Sequence, residues 1–357
     1  MDHPSPDPHL PVGLAGLRYA VTQISLAVRE LDPVMDRYHR LFGWAPWQVF
    51  DHVAPVHHAT ELRGVPVHYA LRGAEVYVGA LNFELLEPLE GPNLWTEFMD
   101  RRGEGIASIA TMFLERQDGD AMKAAFRDRL GIPVSMRAEI GDHIEYYYLD
   151  TEDRFGCLIE SGSGHAIDFV KPATVHPHPG ARPGPAPLTG LVSPITQVSL
   201  VVHDLDARVA AYREAFGWGP WRVYTSAGPG GLRDVTVRGD ASPVDVRWAQ
   251  ARVGDLVVEI IEPAGGTSPW HEFLAARGEG LASVGVTVSN HDDLERVRRA
   301  CAELGIGVLA EGRVGESEGK DEGAEWILFD SESQLKALVQ VGTGHAWDVT
   351  APHGTVG

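Results

Sequence analysis

Leu31 to Trp47 reads LDPVMDRYHRLFGWAPW, and Leu205 to Trp221 reads LDARVAAYREAFGWGPW, an ungapped match at an offset of 205 − 31 = 174. Further along, Trp95 followed by TEFMDRRGEGIAS matches Trp270 followed by HEFLAARGEGLAS, at 270 − 95 = 175. A third block pairs Gly162-Ser163-Gly164-His165-Ala166 with Gly342-Thr343-Gly344-His345-Ala346, at 342 − 162 = 180. Matching blocks in the same order with slowly growing offsets mean that one unit is duplicated and that short insertions have entered its loops.

Within the first unit, Thr22, Ile24, Leu26 and Val28 alternate with smaller or polar residues, the period of a strand. From Leu31 to Phe42 the spacing turns helical, with Val34, Tyr38, Leu41 and Phe42 on one stripe and Gly43 placed to end the helix. Strands follow, the last over Leu81 to Leu86. The same events restart with a strand over Ile106 to Phe113, a helix over about Asp120 to Leu130 stopped by Gly131, and strands near Ile144 to Leu149 and Cys157 to Glu160. Each half therefore reads as two βαβββ modules, giving an α+β fold of four modules. The expected division is a first domain over 1–165, a linker over 166–191 and a second domain over 192–357. Pro172, Pro177, Pro179, Pro183, Pro185 and Pro187 lead us to expect an extended, stiff linker.

Composition narrows the function. With 30 Lys+Arg against 50 Asp+Glu the formal charge is −20, which repels nucleic acid and anionic membrane. The 2 cysteines, Cys157 and Cys301, form no metal-ligand spacing and no disulfide framework. The start MDHPSPDPHLPVGLAG lacks the pattern of a signal peptide, and no apolar run is long enough to span a bilayer. The expectation is a cytoplasmic protein that acts on a small molecule, as a monomer or homodimer.

The module order, the Gln23-Ile24-Ser25-Leu26 strand with its helix ending FGW, Phe83-Glu84-Leu85-Leu86-Glu87-Pro88, and the copies Gln197-Val198-Ser199-Leu200 and Val258-Glu259-Ile260-Ile261-Glu262-Pro263 resemble the vicinal oxygen chelate superfamily, the glyoxalase, bleomycin-resistance and extradiol-dioxygenase group. That resemblance implies sheets curled into cups, with site residues on the first and last strands of each module. Carried over by position, these are Gln23, Glu84, Ser108 and Glu160 in the first half, and Gln197, Glu259, Ser283 and Gln340 in the second. Alternation supports the carboxylates independently, because Glu84 lies between Phe83 and Leu85 and Glu160 follows Ile159. A carboxylate inside an apolar strand is costly to bury unless it meets a metal, a cation or a strong donor, although a rim position facing water satisfies the same pattern.

The resemblance also implies a divalent ion such as Mg²⁺ or Mn²⁺ on Gln23, Glu84 and Glu160. Ser108 and Ser283, however, stand where the family presents a histidine, and a neutral hydroxyl is a poor ligand. Without a metal, Glu84 is a candidate base for proton abstraction. His143 is a second acid–base candidate beside Tyr146 and Tyr148; its second-half counterpart is Gly323. Trp44 and Trp47, with Trp218 and Trp221, either pack the helix ends or line the cup mouths and stack on an aromatic or polycyclic substrate. Two functions follow: an isomerase, epimerase or lyase that abstracts a proton next to a carbonyl, or a non-catalytic binding protein of the antibiotic-resistance or sequestration kind.

Overall fold

The computed structural model describes residues 9–142, 144–177, 186–228, 230–315 and 323–357. The chain divides into two compact units, drawn mainly from residues 1–182 and 183–357.

The first unit contains β1 (Gln23–Ala27), β2 (Trp47–His52), β3 (His57–Leu62), β4 (Val65–Pro66), β5 (Ala70–Val78), β6 (Leu81–Glu90), β7 (Gly105–Phe113), β8 (Val134–Ile140), β9 (Ile144–Leu149), β10 (Leu158–Ser163) and β11 (Thr174–His176). They form one sheet in the order β11-β2-β5-β6-β1-β7-β10-β9-β8-β3-β4. In each module the first strand pairs in parallel with the last, β1 with β6 and β7 with β10, and the modules join through the antiparallel pair β1–β7. The long helices Leu31–Phe42 and Arg116–Ala125 are the crossovers that the parallel pairs require.

The second unit repeats this plan with β12 (Gln197–Val201), β13 (Trp221–Thr225), β14 (Leu232–Val237), β15 (Asp240–Ala241), β16 (Asp245–Val253), β17 (Leu256–Gly265), β18 (Gly280–Thr287), β19 (Val308–Val314), β20 (Ala324–Phe329), β21 (Leu338–Gly342) and β22 (Gly354–Val356). Read from its β22 edge, the order is β22-β13-β16-β17-β12-β18-β21-β20-β19-β14-β15, strand for strand that of the first sheet. The two homologous halves of paired βαβββ modules expected from the repeats are therefore present.

Chain connectivity forces each sheet to curl. β2 ends at His52 and β3 begins at His57, so the link spans at most about 18 Å. In a flat sheet these strands, eight positions apart, would lie about 38 Å from each other. Both edges must therefore bend toward a common opening. The hairpin β3–β4, inserted between β2 and β5, was not anticipated from the sequence, because it pairs with β8 at the far edge. In the second unit β14 pairs with β19 in the same way.

The segment 166–191 differs from the expected linker. Ala166–Phe169 forms a short helix, and Thr174–His176 is the edge strand β11 on β2. Pro172 and Pro177 bracket that strand without interrupting it, so its N–H groups stay available for the ladder. Pro179, Pro183 and Pro185 lie outside the described residues. The expected helix over 120–130 begins earlier, at Arg116, and its last turn, Phe126–Leu130, widens before Gly131, whose φ of 69° ends it.

Candidate functional site

The concave face of the first sheet encloses a cavity of about 380 Å³, whose lining includes Gln23, His52, Glu75, Glu84, Trp95, Tyr146, Tyr148, Glu160 and His165. Register explains this convergence. β6 places Glu84 beside Ser25 of β1 and opposite Glu75 of β5, while β10 places Glu160 opposite Tyr148 of β9. Phe83 and Leu85 alternate to the other face and are buried there.

The polar groups are tightly partnered. Gln23 Nε2 donates to Glu84 Oε2 at 2.5 Å and to Ser25 Oγ at 2.9 Å, and Ser25 Oγ donates to the same carboxylate oxygen at 2.7 Å. That orientation turns Gln23 Oε1 toward His165 Nδ1, 2.5 Å away, so Nδ1 is the protonated nitrogen of His165. Tyr148 donates to Glu160 Oε2 at 2.6 Å and is held by Trp95 Nε1 at 3.3 Å. Glu75 Oε2 accepts from Asn82 at 2.6 Å and from the Ile167 amide at 3.2 Å. Tyr146 joins Tyr69 at 3.1 Å and His57 at 2.8 Å.

Among the described residues no lysine or arginine lines this cavity, so burial acts on the carboxyls without a compensating cation. Desolvation pushes Glu75 up to about 7 and Glu160 up to about 8. Glu84 is raised well above the usual carboxylate range by desolvation and then by the charges of Glu160 and Glu75. Desolvation works in the opposite direction on the imidazoles, lowering His52 to about 3 and His57 to about 4, so both are neutral bases.

The structure brings together Gln23, Glu84, Glu160, Tyr146 and Tyr148, and departs from the sequence reading elsewhere. Ser108 is fully buried next to Glu160 and does not reach the cavity surface; its hydroxyl lacks a well-aligned partner. It pairs with Ser25 of β1, next to an irregularity in the β1–β7 register. Ser283 is likewise buried outside the second cavity. Trp44 and Trp47 pack edge-on against Phe83, at 5.2 and 6.1 Å between ring centres. Strand alternation puts Phe83 and Glu84 on opposite faces, so the two tryptophans brace the outside of the cup and do not line its mouth. Trp218 and Trp221 are buried outside the second cavity, Trp221 Nε1 donating to the Trp218 carbonyl at 2.8 Å. His143 lies outside the described residues.

Sequence reasoning missed Glu75, His52, His57, Trp95 and His165. Glu75 shows the signal that identified Glu84, a carboxylate between the apolar residues Ala74 and Val76. His165 belongs to a repeated motif whose histidine recurs as His345.

The second cup has a cavity of about 510 Å³, and its polar floor keeps one carboxyl. Gln197 Nε2, Ser199 Oγ and Gln250 Nε2 donate to Glu259 at 2.9, 2.8 and 2.8 Å. Gln197 Oε1 faces His345 Nδ1 at 2.9 Å, repeating the His–Gln–Glu chain of the first cup. Glu160 is replaced by Gln340, Glu75 by Gln250, Tyr146 by Trp326 and Gly73 by Trp248.

Residues 196–322 match the family model described as Glyoxalase/Bleomycin resistance protein/Dioxygenase superfamily. The match covers 127 of the chain's 357 residues and lies within its second half. Among solved structures, the chain is similar to a variant of 4-hydroxymandelate synthase from Streptomyces coelicolor, with 13% identity over 95% of this chain and 94% of that one and a TM-score of 0.56. It is also similar to the Mn(II)-bound glyoxalase from Novosphingobium aromaticivorans, with 14% identity over 91% and 83% of the two chains and a TM-score of 0.47. A halotolerant catechol dioxygenase gives 14% identity over 98% and 94%, with a TM-score of 0.45. At these identities the likeness concerns the fold. No curated protein sequence matches the chain. Among the described residues no helix is long and apolar enough to cross a membrane.

The donors present do not fit the divalent ion that the resemblance implies. Among the described residues no three His, Cys, Asp or Glu side chains are grouped as a metal would require. A serine replaces the family's imidazole, and Glu84 Oε2 and Glu160 Oε2 already accept hydrogen bonds from neutral donors.

Proposed function

We propose that the first cup is an acid–base active site that abstracts a proton next to a carbonyl in a small substrate, the step shared by isomerases, epimerases and lyases. One observation carries the reading: Glu75, Glu84 and Glu160 share a buried cavity without a cationic partner in its lining. Three carboxyls in one desolvated space do not all ionise near neutral pH, so they titrate as a set holding both protonated and ionised members.

In this reading Glu84 is the base when the shared protons sit on its neighbours Glu75 and Glu160, which removes their charge from beside it, and Gln23 and Ser25 both donate to Oε2 and stabilise the anion. Glu160, pushed up to about 8, keeps its proton at neutral pH and donates it to the oxygen on which enolate charge develops. His165 fixes Gln23, and Trp95 fixes Tyr148, so the two carboxyls keep their orientations while the substrate changes. Walls formed by Leu71, Leu86, Ile140 and Ile144 exclude water from the developing charge. The second cup, stripped of most titratable groups, favours the binding-protein alternative for its own half.

The test is exchange of substrate protons with solvent. The protein is incubated in D₂O with a panel of 2-oxo acids, ketones and thioesters, and loss of the proton next to the carbonyl is followed by NMR. Oxygen uptake is recorded in parallel. Exchange that disappears in Glu84→Gln supports the proposal; oxygen consumption without exchange overturns it in favour of oxygenase chemistry.

A further inference from the structure

Relative to the first cup, the second has lost its proton-handling groups and gained indoles. His57 corresponds to Leu232, Glu75 to Gln250, Tyr146 to Trp326, Tyr148 to Leu328 and Glu160 to Gln340. Trp248 takes the place of Gly73, against which His52 packs closely in the first cup. Trp248, Trp270 and Trp326 all line the second cavity; Trp270 and Trp326 lie 6.1 Å apart at 46°, and Trp248 stacks on Tyr224 at 5.3 Å. Trp326 Nε1 is buried without a hydrogen-bond partner.

Glu259 lines the same cavity, buried, and among the described residues no lysine or arginine lines it. Its three donors, Gln197, Ser199 and Gln250, are neutral; burial raises the pKa of Glu259 while the hydrogen bonds from Gln250 and Ser199 act against that rise and favour the carboxylate, whose charge they leave uncancelled. His345 uses Nδ1–H on Gln197 and adds no positive charge there, since burial lowers its pKa. A buried anion that shares a cavity with aromatic rings attracts a poorly hydrated cation through both Coulomb and ring-quadrupole terms. A neutral ligand gains only the apolar contact, and an anionic one is repelled.

We propose that the second cup binds a small organic cation, a quaternary or substituted ammonium seated over Glu259 and against Trp248, Trp270 and Trp326. The binding does not depend on the chemistry assigned to the first cup, and the same chain can therefore recognise one molecule while transforming another.

Choline and 3,3-dimethylbutan-1-ol have nearly the same shape and differ in charge. Titration calorimetry of the full chain with each, and with benzyltrimethylammonium, reads the charge contribution directly. Choline is expected to bind at least about tenfold more tightly than the alcohol, the gain that a desolvated cation–π contact supplies. Benzyltrimethylammonium is expected to bind and to quench tryptophan emission. Glu259→Gln and Trp248→Gly should each abolish the preference for the cation, whereas Glu84→Gln in the first cup should leave it unchanged. Thermal melting checks each variant; if Glu259→Gln does not fold, Trp248→Gly carries the comparison, since glycine occupies that position in the folded first half. Equal affinity for choline and the alcohol, no binding of either cation, or loss of the preference in Glu84→Gln would overturn the proposal.

Discussion

Gln250 Nε2 donates to Glu259 Oε1 across 2.8 Å, and at the same register of the first sheet the pair is Glu75 and Glu84, two carboxyls. What the amide does in one half, a proton must do in the other if both acids are to stay buried together. Duplication thus supplies an internal comparison: in the second cup an amide donor satisfies the carboxyl that in the first cup faces a second acid.

A dependence of stability on pH follows. Glu75 at about 7 and Glu160 at about 8 lie above the 4.5 of an unperturbed glutamate, so between these values the folded state holds more protons than the unfolded one. Stability should therefore fall as pH rises from about 4.5 to about 8. Denaturation midpoints at pH 5 and pH 8 measure the fall, and Glu75→Gln should flatten it by removing one of the coupled acids. A midpoint that rises across this window, or an unaltered slope in the variant, contradicts the assignment.

Glu84→Gln should slow proton exchange by roughly 10²–10⁴-fold, the usual contribution of a positioned acid or base. Glu259→Gln should matter far less, because among the described residues no other carboxyl lines the second cup to share a proton. Rates of the two folded variants on the same substrate decide the point. A larger loss in the Glu259 variant would move the chemistry to the second half.

The duplication was legible because its motifs recur at nearly constant offsets, and Glu84 and Glu160 were legible because each interrupts an apolar alternation. His52 and His57 were not. They meet in the first cup because the chain crosses from one sheet edge to the other between β2 and β3, a pairing that leaves no local periodicity. The FGW repeat drew attention to Trp44 and Trp218, yet a conserved place after a helix serves packing as readily as binding. The edge strand after His165 was obscured by its flanking prolines, although the repeat continues through Thr174 into the corresponding Gly354.

Metal removal should leave the first-cup chemistry intact. The Ser108 hydroxyl is buried below the cavity surface, and the nearest oxygens of Glu84 and Glu160 are occupied by donors, so stripping divalent ions removes no group used in the proposed step. After dialysis against a chelator the exchange rate should stay within about twofold of its starting value, since no transition-state contact is lost. Abolition by chelation and recovery with one added ion would show that the carboxyls rearrange around a metal.

Filling the first cup at Gly73 tests its location without touching an ionisable group. A Cβ there would lie 3.1 Å from His52 Nε2 and 3.9 Å from Glu84 Oε1, while the second half carries Trp248 at the same place. Gly73→Trp should therefore occupy the space where substrate meets Glu84 and lower exchange by at least about 10²-fold, the scale associated with displaced reacting groups. The crowding should cost about 1–3 kcal/mol of stability, as overpacking commonly does. Gly73→Ala asks only for a small shift of His52 and should retain most activity. Choline binding in the second cup should be the same in both variants. Full exchange activity in a folded Gly73→Trp protein would place the reacting carbon outside this cavity, whatever the fate of Glu84.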